Sequence, residues 1–341
     1  MEFNFRLLPV AKSQLLFDKA IHGGEGLANL TKVVYLGMRG TFSNGTILLH
    51  IYQLRNLSYH SLTGNSLAGP LSPEIGNLRN LVALGLGGNS FGGNIPEEIG
   101  NLTKLRYLNL RDSGFSGGIT LSLFSLTQLQ YLDLGHNQLS PQIPNYIGHL
   151  SSLSTLYLSE NKFTGRIPPS LSNLTQLQVL DLSYNQLTLQ IPTDIGCLSN
   201  LLTLDFMKNK LTGGIPSSIS NFTQLQTLFL GDNQLSLQIP KDILYLENMY
   251  GLDLTNNRFT GAIPLAMQNP TTLEFIDLED NMLTGEIPSW LFDIETLQEL
   301  LFGGNQLTWN QNNSAILPQC KGSAAVDLIP ERSLPPGFEH E

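Results

Sequence analysis

The sequence predicts an α/β-type repeat solenoid, one elongated domain with a parallel sheet along one face. Three observations predict it. Asparagine recurs every 24 residues, at Asn65, Asn89, Asn137, Asn161, Asn185, Asn209, Asn233, Asn257, Asn281 and Asn305, and only Ser113 interrupts the run. Leucines keep pace at offsets that fit neither a strand nor an amphipathic helix. In "LTQLQVLDLSYNQLTLQIP" (residues 174–192) they stand at 174, 177, 180, 182 and 187. An Ile-Pro pair holds the same register at Pro96, Pro144, Pro168, Pro192, Pro216, Pro240, Pro264 and Pro288. No insertion or deletion breaks the register from Leu54 to Leu317. A sustained period of this length marks a solenoid.

Twelve repeats follow from this register, 30–53 through 294–317. The first is worn: Leu30, Val33, Leu36 and Met38 take the apolar places, and Thr41 replaces the asparagine. In the last, Leu297, Leu300, Phe302, Asn305 and Leu307 fit, but "WNQNNS" replaces the Ile-Pro pair. Residues 1–29 form a degenerate N-terminal segment without a recognisable cap. The tail 318–341, ending in "ERSLPPGFEHE", is expected to be disordered.

Each position has a physical task. The stretch Val179-Leu180-Asp181-Leu182 alternates like a half-buried strand. Stacked coils place such strands about 4.8 Å apart, so twelve span roughly 55 Å. Alternate leucines then join into one core, since a lone repeat cannot bury its apolar face. The asparagine amide is expected to bond backbone groups where the chain leaves the strand, forming a polar ladder. Ile-Pro fixes an extended segment, because proline locks its own φ and biases its predecessor away from helix. Gly69, Gly93, Gly117, Gly165, Gly213, Gly261 and Gly285 permit a tight bend before it. Pro141, Leu189 and Leu237 replace that glycine, so those coils are expected to bend differently.

The full pattern resembles the plant extracellular type of leucine-rich repeat, LxxLxxLxLxxNxLxGxIPxxIGxL. The match is closest in "LRNLVALGLGGNSFGGNIPEEIGNL" (residues 78–102), and the pattern covers about 85% of the chain. The stretch "LTWNQNNSAILPQC" (residues 307–320) is similar to a segment inside receptor-like protein ectodomains, where further repeats follow. The resemblance implies a horseshoe or superhelix with the sheet on its concave face. It also implies kinship with ectodomains of receptor-like kinases and receptor-like proteins, and with polygalacturonase-inhibiting proteins.

Charge and cysteine narrow the class. Net charge is −10 and the pI is about 5.0, which argues against nucleic acid and anionic membrane surfaces. Apolar runs are a few residues long, so no membrane-spanning segment is expected. The N-terminus lacks a signal-peptide pattern. Cys197 and Cys320 fall roughly 24 Å apart by coil spacing, beyond a disulfide's reach. The paired-cysteine caps of the family are not visible, so the chain is expected to be a piece or truncated product of a longer receptor-type protein. Seven glycosylation sequons occur, at Asn29, Asn44, Asn56, Asn101, Asn173, Asn221 and Asn312. Asn29, Asn101, Asn173 and Asn221 share one phase, where Asn-Leu-Thr is also the favoured repeat junction.

No enzyme, cofactor or metal site is expected. The six histidines are scattered, no Cys/His spacing suits zinc, and kinase signatures are absent. Gly87-Gly88 and Gly303-Gly304 occupy turn positions rather than phosphate loops. Asp133, Asp181, Asp205, Asp253 and Asp277 share one phase on the sheet face. They are expected to remain solvated, or to form an acidic strip for a partner. Beside them the sheet-face phases carry Tyr107, Arg111, Tyr131, His136, Tyr157, Tyr184, Phe229 and Phe275. Aromatics suit strands in any case, yet exposed aromatics and arginine are also the residue types of binding hot spots.

Candidate ligand-binding residues are therefore Tyr107, Arg111, Tyr131, Asp133, His136, Tyr157, Tyr184, Asp205 and Phe229. By resemblance, the chain is a recognition module for a protein or peptide ligand, working with a co-receptor kinase at the plasma membrane or outside the cell, in signalling or defence. The alternative is a soluble inhibitor of a cell-wall-degrading enzyme, whose basic surface the acidic face would suit. A third reading is a fragment without function.

Overall fold

A computed structural model describes residues 32–41, 44–264 and 272–308. The segment 1–29, the tail 318–341, Asn29, Asn312 and Cys320 lie outside them. Two compact units are present, Met1–Thr164 and Gly165–Glu341.

In the first unit six strands pair in parallel and in chain order: Tyr35–Gly37, Tyr59–Ser61, Ala83–Gly85, Tyr107–Asn109, Tyr131–Asp133 and Thr155–Tyr157. Tyr107 stands opposite Tyr131, and Tyr131 opposite Thr155. The second unit repeats this with Val179–Asp181, Thr203–Asp205, Thr227–Phe229, Gly251–Asp253, Phe275–Asp277 and Glu299–Leu301. The repeat solenoid and its parallel sheet are as the period predicts. Middle residues of the strands, such as Leu108, Leu132, Leu180 and Leu228, are fully buried, and their neighbours face outward. His60 takes one of these core places. Its Nδ1 donates to the Leu36 carbonyl at 3.2 Å, and burial holds its pKa down to about 4, so it is neutral at pH 7.

The asparagine ladder is present in full detail. Asn137 Nδ2 donates to the carbonyls of Leu110, Leu134 and Gly135 at 2.8–3.0 Å, and its Oδ1 accepts from Phe115 N at 2.9 Å. One side chain thus satisfies groups on its own coil and on the one before it. Ser113 does part of this work, donating to the Leu86 and Arg111 carbonyls at 3.1 Å.

After the asparagine a second run of short parallel strands forms the next side of each coil. In the second unit these are Gln186–Leu189, Lys210–Gly213, Gln234–Gln238, Arg258–Gly261, Met282–Glu286 and Gln306–Thr308. The seven bend glycines all have positive φ, from 72° to 87°. Leu189 and Leu237, expected to bend differently, keep the glycine conformation instead, with φ 67° and 72°. Only Pro141 of the three departs, because its ring forbids positive φ. The leucines bear the cost in exposure as well, at 58% and 64%. Left-handed backbone costs a side-chain-bearing residue about 1–2 kcal/mol. Leu189→Gly and Leu237→Gly should each raise stability by about 0.5–1 kcal/mol after the glycine's unfolded-state entropy is subtracted. Urea midpoints check this, and a loss at both positions would contradict it.

The third side is helical for a single turn. Pro96 sits extended at φ −68°, ψ 145°, and the 3₁₀ turn Glu97–Asn101 follows, closed by Leu102 N donating to the Ile99 carbonyl. Asn145–His149, Pro169–Asn173 and Ser217–Asn221 repeat the arrangement. Five residues between proline and leucine are too few for a longer α-helix.

Candidate functional site

The outward face of each sheet is built from residues flanking the buried leucines. In the first unit this face is aromatic. The Tyr107 and Tyr131 rings stack with centroids 4.5 Å apart and 13° between planes, and Tyr157 tilts against Tyr131 at 6.0 Å. Stacked rings cover one another's faces, so Tyr107 and Tyr131 shield part of each other from solvent. The Tyr131 hydroxyl donates to Asp133 Oδ2 at 3.2 Å, and Asn109 Nδ2 donates to the Tyr107 oxygen at 3.4 Å. Burial, then the Asp133 carboxylate, pushes the Tyr131 hydroxyl well above the usual tyrosine range. Tyr35 and Tyr59 belong to the same column, with centroids 6.2 Å apart, and sequence reasoning missed them. Their multiple-of-24 spacing from Tyr107 was the available signal.

Beyond the strand ends a charged cluster crosses three coils. The Arg111 Nη2 lies 3.1 Å from Glu160 Oε1, and His136 Nδ1 lies 3.5 Å from Glu160 Oε2. Arg111 reaches that far because it lies across Gly135, where a Cβ would meet its Nη1 at 2.7 Å. Such exposed pairs stabilise little. They place a guanidinium, an imidazole and a carboxylate beside Asp133, which the Tyr131 hydroxyl bonds.

Asp133, expected on a solvated face, is only 4% exposed, and Asp253 is 7% exposed. A local turn holds each carboxylate against the backbone. Asp133 Oδ1 accepts from Gly135 N at 3.0 Å, and Asp181, Asp205, Asp253 and Asp277 each accept from the amide two residues on. The recurring aspartate therefore folds back over the strand exit and stitches it. Asn109 does the same with Arg111 N at 3.0 Å. In the second unit burial, partly offset by the Met207 amide, lifts Asp205 to about 7. The same cause lifts Asp253 to about 6 and also raises Asp277.

Tyr184, expected on the sheet face, sits instead in the turn after the strand at φ 52°, as does His136 at 51°. The ring of Tyr184 is exposed there, with the Lys208 ammonium 4.6 Å from its centroid. Phe229 lies on the strand face between Asp205 and Asp253 in register. The structure thus groups Tyr107, Arg111, Tyr131, Asp133, His136 and Tyr157 in the first unit. Tyr184, Asp205 and Phe229 belong to the second.

The described sequon asparagines, Asn44, Asn56, Asn101, Asn173 and Asn221, are all exposed. Asn101, Asn173 and Asn221 each end a 3₁₀ turn, away from the sheet face. Among the described residues no group of three or more His, Cys, Asp or Glu could hold a metal ion. No described helix is long and apolar enough to cross a membrane.

Known proteins share the repeat fold. Leucine rich repeat families match residues 104–163 and 128–187, and residues 80–102, 200–222 and 272–294. No curated protein matches the chain. Among solved structures it is similar to the ectodomain of the membrane receptor kinase GASSHO1/SCHENGEN3 from Arabidopsis thaliana. That match has 35% identity over 83% of this chain and 34% of the other, with TM-score 0.79. It is similar to PEPR1 in the PEPR1-AtPEP1 structure, at 30% identity over 83% and 47% of the chains, TM-score 0.71. It is also similar to the Arabidopsis receptor kinase HAESA, at 32% identity over 78% and 48%, TM-score 0.70. The chain spans about a third to a half of the length of these relatives.

Proposed function

The chain belongs to the leucine-rich repeat proteins of the plant extracellular type, and we propose that it is a recognition module of the receptor-like protein or receptor-like kinase kind. It binds a peptide or protein ligand on the outward sheet face and acts with a co-receptor kinase in cell-surface signalling or defence. Its place is the plasma membrane or the extracellular space. The observation that carries this reading is the grouping of Tyr107, Tyr131 and Tyr157 beside the Arg111–His136–Glu160 cluster. Anchored aromatics next to fixed charges are what hot spots are made of. The relatives support it. GASSHO1/SCHENGEN3 was solved with CASPARIAN STRIP INTEGRITY FACTOR 2, and HAESA with the peptide hormone IDA and the co-receptor SERK1.

A random-peptide phage library selected on the purified chain tests the reading. Tyr131→Ala with Tyr157→Ala should weaken enriched peptides by at least ~2 kcal/mol and leave the circular dichroism unchanged. Gln190→Ala with Gln238→Ala, on the Ile-Pro side, should leave affinity intact. Retained binding in the tyrosine variant and lost binding in the glutamine variant would move the site to that other side. Capture of a basic cell-wall-degrading enzyme with inhibition of its activity would favour the inhibitor instead.

A further inference from the structure

The acidic column of the second unit has a pattern. Asp181 stands in register opposite Asp205, and Asp253 opposite Asp277, with Phe229 alone between the two pairs. Asp232, Asp280 and Glu299 add negative charge around the second pair. Lys208 stands by Asp232 at the edge, drawn towards Tyr184. Burial raises Asp205 and Asp253, as expected of carboxylates without a counter-charge.

A second feature lies beside Phe229. Its ring leans across the next strand, where a Cβ on Gly251 would meet it at 3.4 Å. Thr227, on the same outward side, is 4% exposed, and its hydroxyl has no hydrogen-bond partner. Buried polar groups are almost always partnered. The same Gly251 Cβ would meet the Thr227 methyl at 3.5 Å, so this unpartnered hydroxyl lies beside the Phe229 ring, where a ligand seated on that ring could satisfy it.

We propose that this face binds an extended peptide lying along the stacked strands, with one Lys or Arg in each aspartate pair and an apolar side chain on Phe229 between them. This deepens the recognition reading and rests on it. The pair centres are three strand spacings apart, about 14 Å. Four residues of extended chain cover about the same distance, and side chains at i, i+2 and i+4 point the same way. The motif is therefore cation-x-apolar-x-cation. A forked guanidinium suits two neighbouring carboxylates best.

Calorimetric titration of the full chain provides the test, with acetylated and amidated Gly-Arg-Gly-Leu-Gly-Arg-Gly as probe. The control has the same composition with adjacent arginines, Gly-Gly-Arg-Arg-Leu-Gly-Gly. At low salt and about pH 8 the spaced peptide should bind at least about tenfold tighter. Asp205→Asn with Asp253→Asn should abolish that preference without unfolding the turns, since Asn109 already makes the same turn bond. Thr227→Val should weaken the spaced peptide while leaving the thermal midpoint unchanged or higher. Tyr131→Ala with Tyr157→Ala should not affect it. Equal affinity for both peptides, or an unchanged preference in the asparagine variant, would overturn the proposal. So would displacement of the peptide by equimolar calcium, which would make this a cation site. If library peptides bind through the tyrosines and neither arginine peptide binds, this proposal fails and the recognition reading stands.

Discussion

Asn209→Leu should lower stability by about 2–4 kcal/mol, read from urea unfolding, whereas Gln186→Ala should be nearly neutral. Asn209 Nδ2 donates to the carbonyls of Leu182, Phe206 and Met207 at 3.0–3.2 Å, and its Oδ1 accepts from Leu187 N at 2.9 Å. Leucine fits the space but strands that amide and those carbonyls in the core. The cost is limited because the Leu182 carbonyl also accepts from Asn185 Nδ2 at 3.1 Å. Gln186 is exposed and offers only its side-chain oxygen to Lys210 Nζ at 3.3 Å. Asn209→Ser should fall between the two, as Ser113 reaches two carbonyls in the corresponding place. Equal losses at 209 and 186 would refute the ladder.

Raising the pH from about 5 to about 8 should cost the wild type on the order of 2–4 kcal/mol relative to Asp205→Asn with Asp253→Asn. Unfolded aspartate titrates near 3.9. In the fold Asp205 is lifted to about 7 and Asp253 to about 6, mainly by burial. Below pH 4 both states hold the proton and the contribution is complete. As the pH rises through 6 and 7 the fold must give up protons the unfolded chain has already lost, so stability falls. The asparagine variant has no such protons, and its difference from wild type isolates these two groups. A gap that stays constant from pH 5 to pH 8 would contradict the assignment. A chain that keeps uncompensated carboxylates at a stability cost is behaving as a binding surface does.

The fold was legible because the same short rule is written twelve times. Period, leucine offsets, asparagine ladder and glycine bends are all properties of one coil, and stacking follows from burying its apolar side. The site was legible only in part. Tyr107, Tyr131 and Tyr157 could be placed on the face by phase. Phase could not say that two of the rings stack at 4.5 Å. Nor could it show that Arg111 crosses Gly135 to Glu160, because that contact depends on side-chain direction across two coils. Asp133 and Asp253 were expected to be solvated and are buried, because Leu-Asp-Leu shows no sign of the turn bond to residue i+2. Leu189 and Leu237 were expected to change the bend. Their sequence does not reveal that neighbouring coils impose the glycine conformation on them.

Photo-crosslinking of a selected peptide carrying benzoylphenylalanine, with the attached residues mapped by mass spectrometry, tests the recognition face most directly. The account predicts attachment to outward strand residues: Tyr107, Tyr131 and Tyr157 in the first unit, or Asp181, Asp205 and Phe229 in the second. Attachment concentrated on Leu189, Gln190, Leu237 and Gln238, or on the 3₁₀ turns, would contradict it.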